Sequence, residues 1–313
     1  MLKVLEAVPN FSEGRDLEKV ERLVRRIAEH DVEVLDWSAD ADHHRSVVTF
    51  IGEPDDVVDA AVAAAAFAAR HIDLRGHRGV HPRVGALDVL PFVPVHGATM
   101  DDAVRAARRA GERIAASGVP VWFYGAASAP PGRGLAELRR GGFEGLLDGF
   151  PEGREADLPR GALRSHPTAG VTCVGAREIL LAWNVFVRGI DTESARGIAA
   201  GIRERGGGFP GLRALGLFLE RQDRVQISMN LEDPHTTLPS EVFEAIEEAV
   251  RVAGGEIICT EVIGMLPDTL VQPGIADRLH LLDADHDRVL SSRVADFVSA
   301  RAGPPTKFPD VTE

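Results

Sequence analysis

Apolar and polar positions follow two periods along this chain, and the switches between them divide it into strands and helices. Residues 2–8 form a short apolar run stopped by Pro9-Asn10, which reads as a strand ending in a turn. From Asp16 to His30 the apolar residues Leu17, Val20, Val24 and Ile27 recur at helical spacing. Strands are predicted over residues 32–36 and 46–51. Pro54 suits the first turn of a helix carrying Val57, Val58, Ala61 and Ala65. A strand over residues 86–93 completes a β-α-β-β-α-β order, extended by a helix over 100–116 and a strand over 119–124.

The order then repeats. Residues 179–187 are rich in β-branched side chains, and a helix from about Thr192 places Ala195, Ile198, Ala199 and Ile202 on one face. Alternation of Leu215, Leu217 and Leu219, then of Val225, Ile227, Met229 and Leu231, predicts a hairpin with those residues inward and polar ones outward. A helix over 239–253 and a strand over 256–263 close the second β-α-β-β-α-β unit. The fold class expected is α+β: two tandem ferredoxin-like (βαββαβ) α/β-sandwich units with a helical C-terminal tail. The matching division is 1–177, 178–267 and a tail over 268–313, ending in a Pro-rich segment (Pro304, Pro305, Pro309). Between the units, residues 126–168 are rich in Gly, Pro and Arg and hold a short helix over 135–140. So long a connection in a compact protein is commonly functional.

The 313 residues suffice for two such units with a sizeable core. A net charge of −13 argues against a nucleic-acid partner, while local arginines can still bind carboxylates. The two cysteines, Cys173 and Cys259, match no metal-ligand spacing and are expected as buried thiols. Residues 1–6 reach Glu6 without the apolar run of a signal peptide, and the alanine-rich stretch 60–69 is too short to cross a bilayer. The expected location is cytoplasmic, with no membrane contact.

Candidate chemistry concentrates in Asp40-Ala41-Asp42-His43-His44-Arg45 and in Arg75-Gly76-His77-Arg78-Gly79-Val80-His81-Pro82-Arg83. Six of the eleven histidines lie between positions 43 and 96. Both segments read as loops feeding strands that can meet at one end of a sheet, which would bring His, Asp and Arg into one cleft. Three readings of the cluster are open: a solvated, salt-bridged loop; a zinc site, although no cysteine joins it; and proton transfer on an anionic substrate held by arginine. Gly132-Arg133-Gly134 and Gly206-Gly207-Gly208 read as turns, since no Gly-Lys-Ser/Thr follows either.

Longer motifs narrow the choice. Val8-Pro9-Asn10-Phe11-Ser12-Glu13-Gly14, His44-Arg45-Ser46-Val47-Val48-Thr49-Phe50 and His81-Pro82-Arg83-Val84-Gly85-Ala86-Leu87-Asp88 resemble, in order, motifs of the formiminotransferase domain family. Val174-Gly175-Ala176-Arg177, Ala182-Trp183-Asn184 and Gln226-Ile227-Ser228-Met229-Asn230 continue the resemblance. It implies transfer of a formimidoyl group between N-formimidoyl-L-glutamate and N5 of tetrahydrofolate, a step of histidine degradation. The family's acid/base histidine falls on His81. Its folate-contacting segment falls on Gly161, Ala162, Leu163, Arg164, Ser165, His166, Pro167, Thr168, Ala169 and Gly170. One departure is His44, where the family has Asn before the arginine.

From these residues and the implied reaction together, His81 is the expected proton shuttle, with His43 and His44 as second candidates. Asp40 or Asp42 would orient an imidazole or stabilise a cationic amidine. Arg45, Arg78 and Arg83 would grip substrate carboxylates. Tetrahydrofolate is expected as co-substrate, with no metal. The expected partners are folate, L-glutamate or N-formimidoyl-L-glutamate, a second copy in a homodimer, and a separate cyclodeaminase, since the chain is too short for that further domain. The alternatives are a folate-dependent transferase with another acceptor or a formyl donor, a non-catalytic folate-binding protein, and a metal-dependent hydrolase.

Overall fold

The computed structural model describes residues 2–302, so the Pro-rich end around Pro304, Pro305 and Pro309 lies outside the described residues. Strands β1 (Leu5–Ala7) and β2 (Asn10–Phe11) are two halves of one ribbon, interrupted at Val8-Pro9 because proline has no N–H for the ladder. Both halves pair antiparallel with β4 (Arg45–Gly52) on one side and β5 (Leu87–Pro94) on the other. β3 (Val32–Asp40) forms a hairpin with β4. On the far side β5 runs parallel to β7 (Thr172–Ala176), which runs parallel to β6 (Val121–Gly125), completing a seven-stranded sheet. β3 continues four residues past the end expected at Asp36, because its backbone stays paired to β4 as far as Asp40–Arg45 although the side chains turn polar.

Helices α1 (Leu17–Ala28), α2 (Pro54–His71) and α3 (Met100–Ala116) cover one face of this sheet. The Asp16 side chain accepts the Lys19 N–H at 3.0 Å and starts α1, and Thr99 and Asp102 form a reciprocal capping box for α3. Ala60, Ala61, Ala64 and Ala68 of α2 and Ala103, Ala106, Ala107 and Ala110 of α3 share one buried core, small enough for the helices to lie close. A short helix, α4 (Leu135–Leu138), interrupts the connection from β6 to β7.

The second sheet is four-stranded and antiparallel. Its order is β11 (Glu256–Ile263), β8 (Leu181–Arg188), β10 (Arg224–Leu231), β9 (Leu212–Leu219). Helices α5 (Thr192–Ile202) and α6 (Pro239–Val252) pack on one face around Trp183, Val185, Phe243 and Ile246. The hairpin β9–β10 forms as expected, but β9 has the opposite phase at its start. Leu212 and Ala214 face the helices and Leu215 is turned away, 41% exposed. The cause is the tight seat of Gly216 on α5: a Cβ there would lie 2.4 Å from the Arg196 nitrogen. Of the two cysteines, Cys173 is buried and Cys259 only half-buried.

The tail is more than an appendage. Around α7 (Ile275–Arg278), Ile275 and Leu279 join the core of the second sheet. Helix α8 (Leu290–Ala302) crosses to the first, where Leu290, Val294 and Phe297 pack on Val4 and Ile51. The ion pairs Arg293–Glu33 and Arg301–Asp31 are partly exposed and add little beside that apolar contact. The faces that the helices leave bare look at each other across a cleft of about 1440 Å³. Asn10, Val47, Thr49 and Pro91 line it from the first sheet, and Asn184, Leu215, Ser228 and Glu261 from the second. Among the described residues no helix is long and apolar enough to cross a membrane.

Candidate active site

The β3–β4 hairpin turns over residues 41–44, and the loop between α2 and β5 folds against that turn. The Val80 N–H donates to the Asp42 carbonyl at 3.0 Å. His77 Nε2 lies 2.8 Å from the His44 carbonyl, so it carries the hydrogen of that contact. The two polar segments thus meet at one end of the cleft. His81 lines the cleft, half-buried, with Nδ1 2.8 Å from the Pro82 carbonyl. A carbonyl oxygen can only accept, so Nδ1 carries the proton and Nε2 of the neutral ring keeps its lone pair. Burial, with the positive charge of Arg45 and Arg139, holds the His81 pKa well below its ordinary value.

His43 lies beside it, the ring centroids 5.8 Å apart, and His43 Nε2 is 2.9 Å from Gln226 Oε1 on β10. The second sheet therefore takes part in holding the site. Asp42 Oδ1 accepts the Arg221 N–H at 2.9 Å, and Asp40 Oδ2 accepts from Gln222 Nε2 at 3.2 Å. Asp40 also accepts the His43 N–H at 2.6 Å, so it supports the loop while lining the cleft.

Arg45 donates through Nε to Asn10 Oδ1 at 3.1 Å and through a terminal nitrogen to Asp88 Oδ2 at 2.8 Å. Asp88 is fully buried, and its other oxygen accepts the N–H groups of Val84 and Gly85 at 2.8 and 3.2 Å. Arg139, from the connection between β6 and β7, reaches the same carboxylate at 3.2 Å. Burial opposes ionisation of Asp88, but the two guanidinium groups outweigh it and hold the pKa below the usual range. This frame supports the loop that carries His81.

A second network lies behind it. Arg83 donates to His77 Nδ1 at 2.8 Å and pairs with both oxygens of Glu144, at 2.8 and 2.6 Å. Burial then holds His77 neutral, its pKa lowered to about 4. His44 stacks on His77 with centroids 4.2 Å apart, and its Nε2 lies 3.3 Å from Glu13 Oε1. Glu13 also accepts the N–H groups of Gly14, Arg15 and Asp16 at the start of α1. Arg78 spends its guanidinium on the carbonyls of Arg75 and His77 and lines a separate cavity of about 660 Å³, which Arg83 shares with the main cleft. Among the described residues no group of three or more His, Cys, Asp or Glu side chains is placed to hold a metal ion.

Residues 4–177 match the model of the formiminotransferase domain, N-terminal subdomain, and residues 182–275 match that of the formiminotransferase domain. The chain belongs to the formiminotransferase domain family. A glutamate formimidoyltransferase of Streptococcus pyogenes is 38% identical over 85% of this chain and 90% of its own length. One of Thermoplasma acidophilum is 36% identical over 94% of this chain and 98% of its own. The formimidoyltransferase-cyclodeaminase of Sus scrofa is 38% identical over 85% of this chain, which spans 51% of that longer protein.

In this formiminotransferase, the opening motif works as scaffold. Asn10 holds Arg45, the Ser12 hydroxyl donates to the Gly85 carbonyl at 2.7 Å, and Glu13 braces His44. His44 has a φ of 52°, the left-handed region where Asn, the residue expected here from the resemblance, is at ease and His is tolerated. Residues 161–170 line neither cavity. They pack behind the His81 loop, where the Ala169 carbonyl accepts the Ala86 N–H and the Thr168 carbonyl accepts that of Leu74. Sequence reasoning passed over Asp88 and Arg139 in the frame and the polar residues Glu6, Tyr124 and Glu261 that line the cleft. Asp88 ends the motif that begins at His81; the others carry no local signal.

Proposed function

We propose that this formiminotransferase moves the formimidoyl group of N-formimidoyl-L-glutamate to N5 of tetrahydrofolate, with His81 as the proton shuttle. The observation that carries the reading is His81 itself: a neutral imidazole whose Nε2 lone pair is uncommitted among the described residues, in a cleft large enough for two substrates. N5 attacks the formimidoyl carbon and gives a tetrahedral centre. His81 Nε2 takes the proton that N5 loses, and the resulting imidazolium passes it to the departing nitrogen, so that L-glutamate leaves and 5-formimidoyl-tetrahydrofolate remains. The nearby Arg45 and Arg139 charges make the imidazolium a strong acid, which favours the second transfer. Asp40 faces the same space and stabilises the cationic amidine, with His43 and His44 holding the loop.

Arg45 and Arg83 are the proposed holders of substrate carboxylates, joined by Arg139. Arg78 and residues 161–170 act on folate indirectly, by supporting the walls. On the same reading each unit is ferredoxin-like, supported by the strand orders β5-β1/β2-β4-β3 and β11-β8-β10-β9, and the divisions fall near 177 and 267. A homodimer in the cytoplasm, passing its product to a cyclodeaminase, completes this picture. Fusion of the two activities in the pig relative's name supports the last step. The test is an initial-rate comparison of N-formimidoyl-L-glutamate, N-formyl-L-glutamate and N-formimidoylglycine as donors to tetrahydrofolate. The first should be preferred; preference for either other donor would reassign the reaction.

A further inference from the structure

Away from His81, the cleft wall holds two buried polar side chains that the transfer chemistry leaves unused. Glu6 is 4% exposed and Tyr124 5%, and both line the cleft. Among the described residues the Glu6 carboxyl makes no hydrogen bond or ion pair and the Tyr124 hydroxyl meets no hydrogen-bond partner in good geometry, the Arg177 guanidinium being the charge that acts on both. Polar groups on a buried wall that have no hydrogen-bond partner within the protein keep that capacity for what enters the cleft, so two on one wall point to a ligand that satisfies them. Glu6 stands on β1 between Ile51 and Val93 of the neighbouring strands. Tyr124 stands on β6 opposite Gly175, where a Cβ would lie 2.4 Å from the tyrosine ring. Only glycine lets that ring lie over β7, the strand that separates β6 from β5. Pro91, paired with Gly175 across β5 and β7, and Met265, clustered with Val4 and Ile51 beside Glu6, add apolar lining to the cleft there.

We propose that Glu6 and Tyr124 read the 2-amino-4-oxopyrimidine edge of the folate co-substrate, the carboxylate accepting from the 2-amino and N3–H groups and the phenol donating to the 4-oxo group. This inference rests on the folate reading above. The edge presents two adjacent donors and an acceptor, which a carboxylate and a hydroxyl complement, and its ring faces suit apolar walls. Glu6 lies four residues before Asn10, the residue that holds Arg45 near His81, a span of roughly 13 Å along the strand. A bicyclic ring anchored at Glu6 can thus direct its N5 side toward His81. Burial raises the Glu6 pKa to about 7, partly countered by Arg177, so the free site is substantially protonated near neutrality. Only the ionised carboxyl can accept both hydrogens. Binding therefore releases a proton, and affinity falls as pH drops below about 7.

The test is calorimetric titration of the full chain with 5-formyl-tetrahydrofolate, near pH 7, in buffers of different ionisation enthalpy. Wild type should release protons on binding, and Glu6→Gln should bind roughly 10- to 100-fold more weakly with no release. Tyr124→Phe should lose several-fold. A 2-desamino-2-methyl analogue should bind wild type as weakly as the parent binds Glu6→Gln. Unchanged folate affinity in Glu6→Gln, or equal affinity of wild type for the analogue, would overturn the assignment while leaving the folate reading intact. If Glu6→Gln fails to fold, the analogue and the proton release in wild type decide. Failure of wild type to bind any folate would instead remove the reading on which the subsite rests.

Discussion

Asp88 and Glu6 are both buried carboxyl groups on the seven-stranded sheet, yet their surroundings differ in kind. Asp88 has two arginines and two backbone N–H groups, and its ionised form is stabilised. Glu6 has no partner among the described residues, and burial pushes its pKa up to about 7. The saturated carboxylate belongs to the frame that holds Arg45 and the His81 loop. The unsaturated one keeps its hydrogen-bonding capacity for something that arrives. The partners a buried group finds within the protein thus separate what the fold consumes from what it reserves for a ligand.

The sharpest way to break that contrast is Asp88→Ala. It strands Arg45, Arg139 and two N–H groups, and should lower stability by about 3–5 kcal/mol in denaturant unfolding. A loss under 1 kcal/mol would mean that Asp88 is no frame. His81→Ala should leave unfolding unchanged and slow turnover by roughly 10²- to 10⁴-fold in steady-state kinetics. Glu6→Gln should act in the other direction on the free protein. A carboxyl whose folded pKa is raised from 4.5 to about 7 contributes stability that is lost as pH rises through that window. Melting temperatures of the variant and wild type should therefore diverge in favour of the variant between pH 4.5 and about 7, then run parallel above. The full effect is on the order of 3 kcal/mol at most. Convergence as pH rises would show that Glu6 has a partner in solution. The smallest change is His44→Asn, expected within about 1 kcal/mol in unfolding. Asn suits the left-handed backbone at this position but gives up the stack on His77.

Much of this was legible in the sequence because it is local. Period and punctuation located the strands and helices, and both polar loops could be read as meeting because each feeds an interior strand. The phase of β9 was not legible, since it depends on how closely α5 sits over Gly216. The docking of α8 was also hidden, because Leu290, Val294 and Phe297 look the same whichever sheet they bury against. The deeper site was lost for one reason. Glu6 and Tyr124 read as ordinary strand residues until two sheets leave their bare faces opposed, and Arg139 comes from the connection between strands. Residues 161–170, flexible and donor-rich in sequence, are tied into the back of the loop by backbone hydrogen bonds.

The most direct measurement is a mass balance over a single turnover, with the protein in excess of N-formimidoyl-L-glutamate and tetrahydrofolate present or withheld. Transfer predicts one L-glutamate and one 5-formimidoyl-tetrahydrofolate for each donor consumed, and no consumption without tetrahydrofolate. Donor loss at the same rate in the absence of tetrahydrofolate, with release of ammonia, would make the protein a hydrolase and contradict the transfer reaction assigned to this cleft.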